Sequence, residues 1–493
     1  NAMRNLPHAL YSVAQIRAIE AIARKSLKSD KSLMELAGQR AYSCLRQCWP
    51  SVSRVAILCG GGNNGGDGFV LARLAQNAGL SVCLVLAAKS STVEAKEALT
   101  KALAAGVVVS NFSEVALVEA ELIVDALLGI GFSGKVREPF RTIMLCVNKQ
   151  VKPVLSLDIP SGLDADSGSV SQVAIKADVT ISFIGLKRGL FMSKARNIVG
   201  HIVFEPLIAE HLCVHDDFWA TRLSDQWIEN VLPARHSSFH KGDGGHVGVI
   251  GGFRGMSGAV ALSGLAALRS GAGRVTVGCF PDNVQSVAAM SPELMVRPLM
   301  TEDDVHQLLA GVDVAVIGPG LGLTDWSKKI FHHSIETKVP KVVDADALTL
   351  SEENKQVLTD AVLTPHPGEA ARMLGITVEC LEGDRPSGLE ALSAKFNSIA
   401  VLKGAGTLVG RANGERLICD RGNPGMATAG MGDALSGMIG GLMSQGLPAF
   451  EAAGVGVWLH ASAGDLIAKN SGAVGMLASD LIGQVPYVRS DLR

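Results

Sequence analysis

The sequence predicts two different α/β domains, each built on a mostly parallel sheet with helices on both faces. Its 493 residues are too many for one ordinary core, so two or three domains are expected. Hydrophobic residues make up 47% of the chain and aromatic residues only 4%, which is typical of domains with buried aliphatic strands. Short aliphatic runs also alternate with helical stretches, and this alternation predicts a doubly wound parallel sheet.

Composition excludes several classes of partner. The net charge of -2 leaves no basic excess for binding nucleic acid or an anionic membrane. The nine cysteines include no C-x-x-C pair, which is typical of thiols in a reducing compartment. No uncharged apolar stretch approaches about 20 residues, and the layout of a signal peptide is missing. We therefore expect a cytoplasmic enzyme with small-molecule partners, and a homo-oligomer is compatible with the sequence.

The N-terminal half starts with a helix and continues with strands. In residues 11–26, Ile16, Ile19 and Ala23 form one apolar stripe, and Ser12 with Gln15 makes a capping-box pattern. The predicted strands are VAILC, LSVCLVLA, LIVDALLG, VLSLDIP and DVTISFIG. Together they predict a Rossmann-like, three-layer domain over residues 4–215.

The pattern loosens between about residues 205 and 240, where we place a linker at residues 216–229. His211 and His215 there have helical i, i+4 spacing with Cys213 between them, which suggests a metal site. No further ligand is organised around them, so a polar connector is favoured.

A second alternating series predicts another α/β domain over residues 230–493. Its predicted strands lie in HVGVIGG, RVTVGCF, VDVAVIGPG, KVVDADAL, AVLTPHPGE, SIAVLKG and TLVG. A glycine-rich segment and two closing helices follow. The two halves share no motif, so we interpret the chain as a fusion.

The segment GGGNNGGDG, residues 60–68, directly follows the first strand. Gly60, Gly62 and Gly65 fit the dinucleotide fingerprint, and we expect a helix entered near Phe69 to offer its N–H groups to a phosphate. A dehydrogenase would also carry an acidic residue about 20 positions further on. The second strand ends LVLAAKSS instead, which disfavours hydride transfer.

Polar side chains at three strand ends predict a site that also holds a cation. Asn64, Asp125 and Ser161 should converge, because the carboxyl ends of parallel strands meet at one edge of a sheet. Their oxygens suit K⁺, Na⁺ or Mg²⁺ rather than zinc. Asp158 is a candidate acid/base in a turn constrained by proline and glycine. The alternative is that these acids only cap helices and fix turns.

The segments GGGNNGGDG, DALLGIGFSG and LDIPSGLDADSG together resemble the epimerase domain of NAD(P)H-hydrate repair enzymes, over most of residues 10–215. That family interconverts the two epimers of NADH or NADPH whose nicotinamide ring carries an added hydroxyl. The resemblance implies that Asn64, Asp125 and Ser161 bind K⁺ and that Asp158 is catalytic. It also implies that the hydrate is bound by Asn63, Asn64, Gly65, Gly66, Asp67, Gly129, Ile130, Gly131, Phe132, Ser133, Gly134, Lys135 and Asp158.

In the C-terminal half the most informative segment is NPGMATAGMGDALSGMIGGL, which places Gly430 and Gly432 just before Asp433 and a helix. Backbone N–H groups of such a turn form an anion site that the helix dipole reinforces. Asp433 could take a proton from a substrate hydroxyl while the N–H groups stabilise a transferring phosphoryl group. Its alternative role is a helix N-cap. The P-loop pattern G-x-x-x-x-G-K-[ST] does not occur in the chain.

The segments HKGDGGHVGVIGG, GPGLG, LTPHPGE, LKGAGT and NPGMATAGMGDALSG together resemble the NAD(P)H-hydrate dehydratase of the ribokinase-like superfamily, over about residues 230–485. The resemblance implies phosphorylation of the hydrate by a nucleotide, followed by loss of phosphate. Asp433 would be catalytic, and the hydrate would be bound by Ala259, Gly320, His366 and Asp433. ADP or ATP would be held by Lys403, Gly404, Ala405, Gly406, Thr407 and Gly432. Mg²⁺ is expected with the phosphates, with no ligands assigned.

The two resemblances imply a bifunctional enzyme. It would epimerise the R and S hydrates and dehydrate the S form at the expense of ADP or ATP, giving NAD(P)H, AMP or ADP, and phosphate. The alternative is a ribokinase-like kinase of a small alcohol with a non-catalytic, dinucleotide-sensing N-terminal domain. His460, in an apolar helix, is interpreted as a packed histidine rather than a ligand.

Overall fold

The computed structural model describes residues 6–27, 32–208, 217–232, 238–353, 358 and 361–492. The chain divides into two compact units, residues 1–221 and 222–493. This division falls inside the predicted linker, residues 216–229, which holds a short strand and the start of a helix. The pair His211 and His215 lies outside the described residues.

The N-terminal unit alternates strands and helices. Its strands are β1 (Ala9–Tyr11), β2 (Arg54–Cys59), β3 (Ser81–Leu86), β4 (Val108–Ser110), β5 (Leu122–Ala126), β6 (Val154–Leu157), β7 (Val179–Phe183), β8 (Leu186–Lys187), β9 (His201–Glu205) and, at the division, β10 (Ala220–Arg222). Its helices are α1 (Val13–Ser26), α2 (Leu33–Cys48), α3 (Asn63–Asn77), α4 (Val93–Ala104), α5 (Glu114–Glu119) and α6 (Phe140–Lys149).

Seven parallel strands form the main sheet of this unit, in the order β4-β3-β2-β5-β6-β7-β9. Strands β5 and β6 are buried along their whole length, because helices cover both faces of the sheet. The strand order reverses between β2 and β5, and a ligand crevice is expected outside the carboxyl ends of strands at such a point. The sheet thereby brings the loops after β2, β5 and β6 to one edge.

The sequence patterns predicted helix α1 correctly but placed the start of α3 too late. Ser12 and Gln15 form the predicted capping box of α1, and Ile16, Ile19 and Ala23 are its buried stripe. Helix α3 departs from expectation, because it begins at Asn63 rather than near Phe69. The asparagines and Asp67 are therefore part of its first turns and not of a preceding loop.

The C-terminal unit repeats the alternation. Its strands are β11 (His246–Ile250), β12 (Arg274–Cys279), β13 (Met295–Pro298), β14 (Val314–Ile317), β15 (Lys341–Val343), β16 (Ala361–Leu363), β17 (Ile399–Leu402), β18 (Thr407–Gly410) and β19 (Arg416–Cys419). Its helices are α7 (Asp225–Val231), α8 (Ser257–Ser270), α9 (Val284–Met290), α10 (Glu302–Ala310), α11 (Asp325–Ile335), α12 (Asp346–Glu353), α13 (Pro367–Leu374), α14 (Val378–Gly383), α15 (Arg385–Phe396), α16 (Met431–Ser444), α17 (Ala449–Ser471) and α18 (Ala478–Ser490).

Within this unit, strands β13-β12-β11-β14-β15-β16-β17 are parallel, and β18 and β19 add antiparallel pairs. Helix α16 and residues 450–464 of α17 are apolar nearly all round and carry buried residues on every side, which is typical of helices packed inside a unit. None of the described helices combines the length and the apolar character that crossing a membrane requires. The predicted class of two α/β domains on parallel sheets is confirmed.

Candidate active sites

A cavity of about 450 Å³ opens in the N-terminal unit, and its lining includes residues that follow β2, β5 and β6. Its lining residues are Arg17, Glu20, Arg24, Leu33, Met34, Ala37, Gly61, Gly62, Asn63, Asn64, Asp67, Leu127, Leu128, Gly129, Ile130, Gly131, Phe132, Phe140, Asp158, Phe183, Ile184 and Leu207. The predicted strand-end loops therefore do converge. The contribution of helices α1 and α2 was not predicted from the sequence.

The start of α3 is built for an anion. Its N-cap is Gly62, which has no side chain to bond the first N–H groups of the helix, so those donors remain for a ligand. A Cβ on Gly60 would lie 1.8 Å from the Leu127 carbonyl oxygen, and one on Gly65 would lie 2.1 Å from the Gly60 oxygen. Close backbone approach therefore requires glycine at positions 60 and 65, whereas a Cβ on Gly62 would meet no atom within 4 Å.

Asp125, at the end of β5, is buried and accepts hydrogen bonds from two serine hydroxyls. Ser156 Oγ donates to its Oδ2 at 2.7 Å, and Ser161 donates to the same carboxylate through its Oγ at 2.5 Å and its N–H at 2.9 Å. Burial raises the pKa of Asp125, and these hydrogen bonds oppose the rise. The carboxylate is fully buried with hydroxyl and N–H donors around it.

Asn64 completes this corner of the cavity. Its Nδ2 donates to the Leu128 carbonyl oxygen at 3.1 Å, and its buried Oδ1 has no hydrogen-bond partner among the described residues. The Leu128 N–H donates to Ser161 Oγ at 2.9 Å. One amide oxygen, one carboxylate, one hydroxyl and one carbonyl are thereby brought together.

Asp158 follows β6 with a φ of 67°, a left-handed conformation uncommon for any residue but glycine. Its Oδ1 accepts hydrogen bonds from Lys187 Nζ and, at 3.1 Å, from the Phe183 N–H. Lys187 is 1% exposed and also donates to Ser182 Oγ at 3.2 Å and to the Phe183 carbonyl oxygen at 2.8 Å. The buried lysine therefore fixes this carboxylate at the cavity wall.

Two further carboxylates face the cavity. Burial raises the pKa of Asp67 well above its usual range, and the charges of Asp158 and Glu20 raise it further. Burial and the charge of Asp158 also raise the pKa of Glu20. Five of the predicted hydrate-binding residues do not line the cavity. Gly65 and Gly66 are buried within α3. Ser133, Gly134 and Lys135 are exposed on the loop that follows Phe132.

In the C-terminal unit, Asp433 lies in the first turn of α16. The N-cap is Gly430 with a φ of 87°, and it supplies no side-chain cap. The Met431 N–H donates to the Thr428 carbonyl oxygen at 3.4 Å, so the N–H groups of Gly432 and Asp433 are the donors of this turn that suit an anion. Burial is the main cause that raises the pKa of Asp433 to about 7, and the charge of Asp344 adds to the rise. The described residues provide no hydrogen bond or ion pair to this carboxylate.

Lys403 lies beside the same turn. Its Nζ is 3.4 Å from Oδ1 of the buried Asp344, and a Cβ on Gly432 would lie 3.0 Å from that Nζ. Lys403 lowers the pKa of Asp433, and Asp346 raises it. A lysine, an anion-binding helix start and a carboxylate with a pKa near 7 are thus combined in one place.

A buried arginine is hydrogen-bonded to the backbone of the loop 403–407 and of the residue before it. Arg385 is fully buried, and its guanidinium donates to the carbonyl oxygens of Lys403 at 3.1 Å, Leu402 at 3.2 Å and Gly406 at 3.3 Å. Gly404 has a φ of 141°, and a Cβ there would lie 2.6 Å from the guanidinium. Arg385 therefore fixes the shape of the predicted nucleotide loop.

The predicted hydrate-binding residues lie on neighbouring elements. A Cβ on Gly320, which has a φ of 60°, would be 3.0 Å from Cβ of Ala259. His366 is the N-cap of α13, where its Nδ1 accepts from the N–H groups of Gly368 at 3.0 Å and Glu369 at 3.3 Å. The side chain of His366 is 55% exposed, and its Nε2 lies 3.4 Å from Oε1 of Glu369.

The sequence did not single out several residues that shape these sites. Asp344 and Asp346 follow β15 within KVVDADAL, and their place at the carboxyl end of a parallel strand was a usable signal. Lys187 and Arg385 carry no such signal, because their roles depend on long-range contacts. His460 is a packed histidine as predicted. It is buried, with Nε2 at 2.9 Å from the Met431 carbonyl oxygen, and burial lowers its pKa to about 4.

Among the residues that the structure describes, no group of three or more His, Cys, Asp or Glu side chains could hold a metal ion. A cation at either site would therefore use other oxygens as well, such as the amide, hydroxyl and carbonyl oxygens around Asp125 or the phosphates of a nucleotide.

Comparison with known proteins gives a concordant result. A family profile described as NAD(P)H-hydrate dehydratase matches residues 247–487, and one described as YjeF-related protein N-terminus matches residues 30–189. The ribokinase-like superfamily protein of Enterococcus faecalis, a solved structure, is 32% identical, with a TM-score of 0.51 over 55% of this chain and 95% of its own.

Two curated relatives match nearly the whole chain. The bifunctional NAD(P)H-hydrate repair enzyme Nnr of Coxiella burnetii is 43% identical over 97% of this chain and 98% of its own length. Its namesake in Escherichia coli is 40% identical over 98% of this chain and 94% of its own. The chain therefore belongs to the family of bifunctional NAD(P)H-hydrate repair enzymes.

Proposed function

We propose that the chain repairs hydrated NADH and NADPH, with an epimerase site in the N-terminal unit and a nucleotide-dependent dehydratase site in the C-terminal unit. The observation that carries the dehydratase assignment is Asp433, a half-buried carboxylate with a pKa of about 7 in the first turn of α16. A general base is most effective when its pKa is near the working pH.

In the dehydratase reaction, Asp433 takes the proton of the hydrate's hydroxyl as that oxygen attacks the terminal phosphoryl group of ADP or ATP. The N–H groups at the start of α16 stabilise the charge of the transferring group, and Lys403 adds a positive charge beside them. Phosphate then leaves, the neighbouring ring carbon loses a proton, and the ring double bond forms, which yields NAD(P)H with AMP or ADP. Mg²⁺ would accompany the nucleotide phosphates.

In the epimerase reaction, the open start of α3 binds the phosphates of the dinucleotide and Asp158 faces the reacting ring. We assign a K⁺ site to Asn64, Asp125 and Ser161. The support is that, among the described residues, the buried Asn64 Oδ1 has no hydrogen-bond partner and no cationic side chain is bonded to Asp125. A bound K⁺ would supply positive charge near the substrate phosphates.

The K⁺ assignment is tested by epimerisation in buffers that contain only large organic cations, with KCl added back. We expect the rate to rise saturably with K⁺ and Asn64→Leu to abolish that rise. Epimerisation that is independent of K⁺ would overturn the assignment.

The proposed function is tested by the absorbance of reduced nicotinamide in a mixture of NADH-hydrate epimers with enzyme, Mg²⁺ and either ADP or ATP. Full recovery of NADH with a nucleotide is expected, and the more effective nucleotide identifies the donor. Recovery that stops near the fraction of one epimer would contradict the epimerase assignment. A stable phosphorylated product without NADH would instead support a small-alcohol kinase.

A further inference from the structure

The cavity of the N-terminal unit contains carboxylates in contrasting surroundings. Asp158 is bonded by the ammonium of Lys187 and by a backbone N–H, so its negative charge is compensated at hydrogen-bond distance. Glu20 lines the same cavity and has no hydrogen-bond or ion-pair partner among the described residues. An enzyme separates its acid from its base by giving two carboxyl groups unlike environments.

Glu20 projects from α1 together with two arginines, neither of which is bonded to it. Arg17, Glu20 and Arg24 are spaced at i, i+3 and i+7, so they share the helix face that borders the cavity. Arg24 is bonded to Glu94 at 2.6 Å. Arg17 reaches the loop after β5, where its Nη2 would lie 3.6 Å from a Cβ on Gly131. Neither guanidinium is bonded to the carboxyl group of Glu20.

The charges around Glu20 come from several elements. Asp158 after β6 raises the pKa of Glu20, whereas Lys187 on β8 and the two arginines of α1 lower it, and burial is the largest cause of the net rise. Asp67 on α3 is also within its electrostatic reach. Together these effects raise the pKa of Glu20, so its protonated form is favoured more in this cavity than it would be in water.

We propose that Glu20 is a catalytic acid of the epimerase site, donating its proton to the hydroxyl that leaves the nicotinamide ring. This inference rests on the proposed function. Hydration of a dihydropyridine places the hydroxyl on a carbon next to the ring nitrogen. The Glu20 proton passes to that oxygen, the carbon–oxygen bond breaks, and the nitrogen lone pair forms a double bond to the carbon as water leaves.

Water then adds to the opposite face of the same carbon. The electron pair of the double bond returns to nitrogen, the added water releases a proton to solvent, and the Glu20 carboxylate takes up a proton from solvent. No oxidant or reductant is needed, and the products are the other epimer and the unchanged enzyme. Asp158, fixed by Lys187, would stabilise the cationic ring between the two steps.

The test compares Glu20→Gln, Glu20→Asp and Asp67→Asn with Glu97→Gln, which removes the same charge from an exposed position on α4. Chromatography follows the interconversion of the two epimers by the full-length chain without nucleotide. Dehydration of the S epimer with nucleotide, measured on the same preparations, reports on folding of the other domain. Thermal unfolding reports on the N-terminal domain.

We expect Glu20→Gln to lower kcat of epimerisation by about a hundredfold or more with a smaller change in KM, because a positioned general acid contributes about that factor. Glu20→Asp should restore part of the rate. The unsubstituted chain should lose activity as pH rises through the Glu20 pKa, and this alkaline limb should be absent in Glu20→Gln.

Epimerisation by Glu20→Gln at the rate of Glu97→Gln would overturn the inference and leave the proposed function intact. An alkaline limb that persists in Glu20→Gln but disappears in Asp67→Asn would assign the acid to Asp67 and also overturn it. If the unsubstituted chain did not interconvert the epimers, the epimerase function itself would be wrong.

Discussion

The starts of helices α3 and α16 share one feature that suits an anion. Each helix follows a glycine N-cap that supplies no side-chain hydrogen bond, whereas α1, α2 and α4 are capped by the hydroxyls of Ser12, Ser32 and Thr92. An uncapped helix start leaves N–H donors for a phosphate. We therefore expect both sites to hold a nucleotide through these N–H groups, whereas the carboxylate beside them differs.

The two carboxylates differ in whether a cationic side chain is bonded to them. Asp158 in the N-terminal unit accepts a hydrogen bond from a buried lysine, whereas the described residues leave Asp433 in the C-terminal unit without such a partner. Lys403 is bonded instead to Asp344, and burial raises the pKa of Asp433 to about 7. The same residue type can thus be fixed as a compensated charge or prepared to exchange a proton.

The largest expected effect is the loss of the uncompensated carboxylate. Asp433→Asn should lower the nucleotide-dependent dehydration rate by a factor on the order of a hundred to ten thousand, because it removes a general base. Epimerisation should be unchanged, and nucleotide binding should survive. Asp303→Asn, in the exposed first turn of α10, is the matched control. A dehydration rate equal to that of the control would show that Asp433 is not the base.

The next effect separates pairing from catalysis at Asp158. Asp158→Asn should slow epimerisation about a hundredfold, because the cationic ring loses the negative charge that stabilises it. It should also lower the free energy of unfolding by about 3 kcal/mol, because the ammonium of Lys187 stays buried without its carboxylate. Asparagine tolerates the left-handed conformation at this position. The double substitution Asp158→Asn with Lys187→Met should recover stability but not epimerisation. Recovery of activity in the double variant would show that Asp158 serves only to neutralise the lysine.

The sequence predicted those parts of the two sites that are encoded locally. The glycine-rich loops, the strand-end acids and the order of strands follow from short patterns, so Asp125, Asp158 and Asp433 could be located without a structure. The electrostatic environment was not predictable in this way. Lys187 lies 29 residues from Asp158, and Arg385 contacts a carbonyl 21 residues away. Such contacts depend on which strands become neighbours, and no local periodicity records that.

A moderate effect is expected from the arginine beneath the nucleotide loop. Arg385→Met removes the donors to the carbonyl oxygens of Lys403, Leu402 and Gly406, so the loop loses its fixed shape. We expect the KM of the nucleotide to rise about tenfold, which corresponds to about 1.4 kcal/mol, with a smaller change in kcat. Steady-state kinetics with ADP and with ATP measure this. The epimerisation rate of Arg385→Met should be unchanged.

Arg416→Met is the control for the loss of an arginine in the same unit, since Arg416 is paired with Glu390 at 3.0 Å and lies on β19. A nucleotide KM equal to that of the control would contradict a role of Arg385 in shaping the loop. A fall in kcat alone would show that Arg385 affects the chemical step rather than nucleotide binding.

The smallest expected effect is on the free energy of unfolding, and it tests the difference between Asp433 and Asp158 without any substrate. The folded-state pKa of Asp433, about 7, lies above its ordinary value of 3.8, so the folded chain binds this proton more tightly than the unfolded chain does. Stability contributed by this group is therefore present at low pH and is lost as pH rises towards about 7. Asp433→Asn should raise the free energy of unfolding at pH 8 by on the order of 1 kcal/mol, and by less at pH 5. Thermal unfolding of both proteins at the two pH values measures the difference. A gain that is equal at pH 5 and pH 8 would mean that Asp433 is as well compensated as Asp158, and the contrast between the two sites would fail.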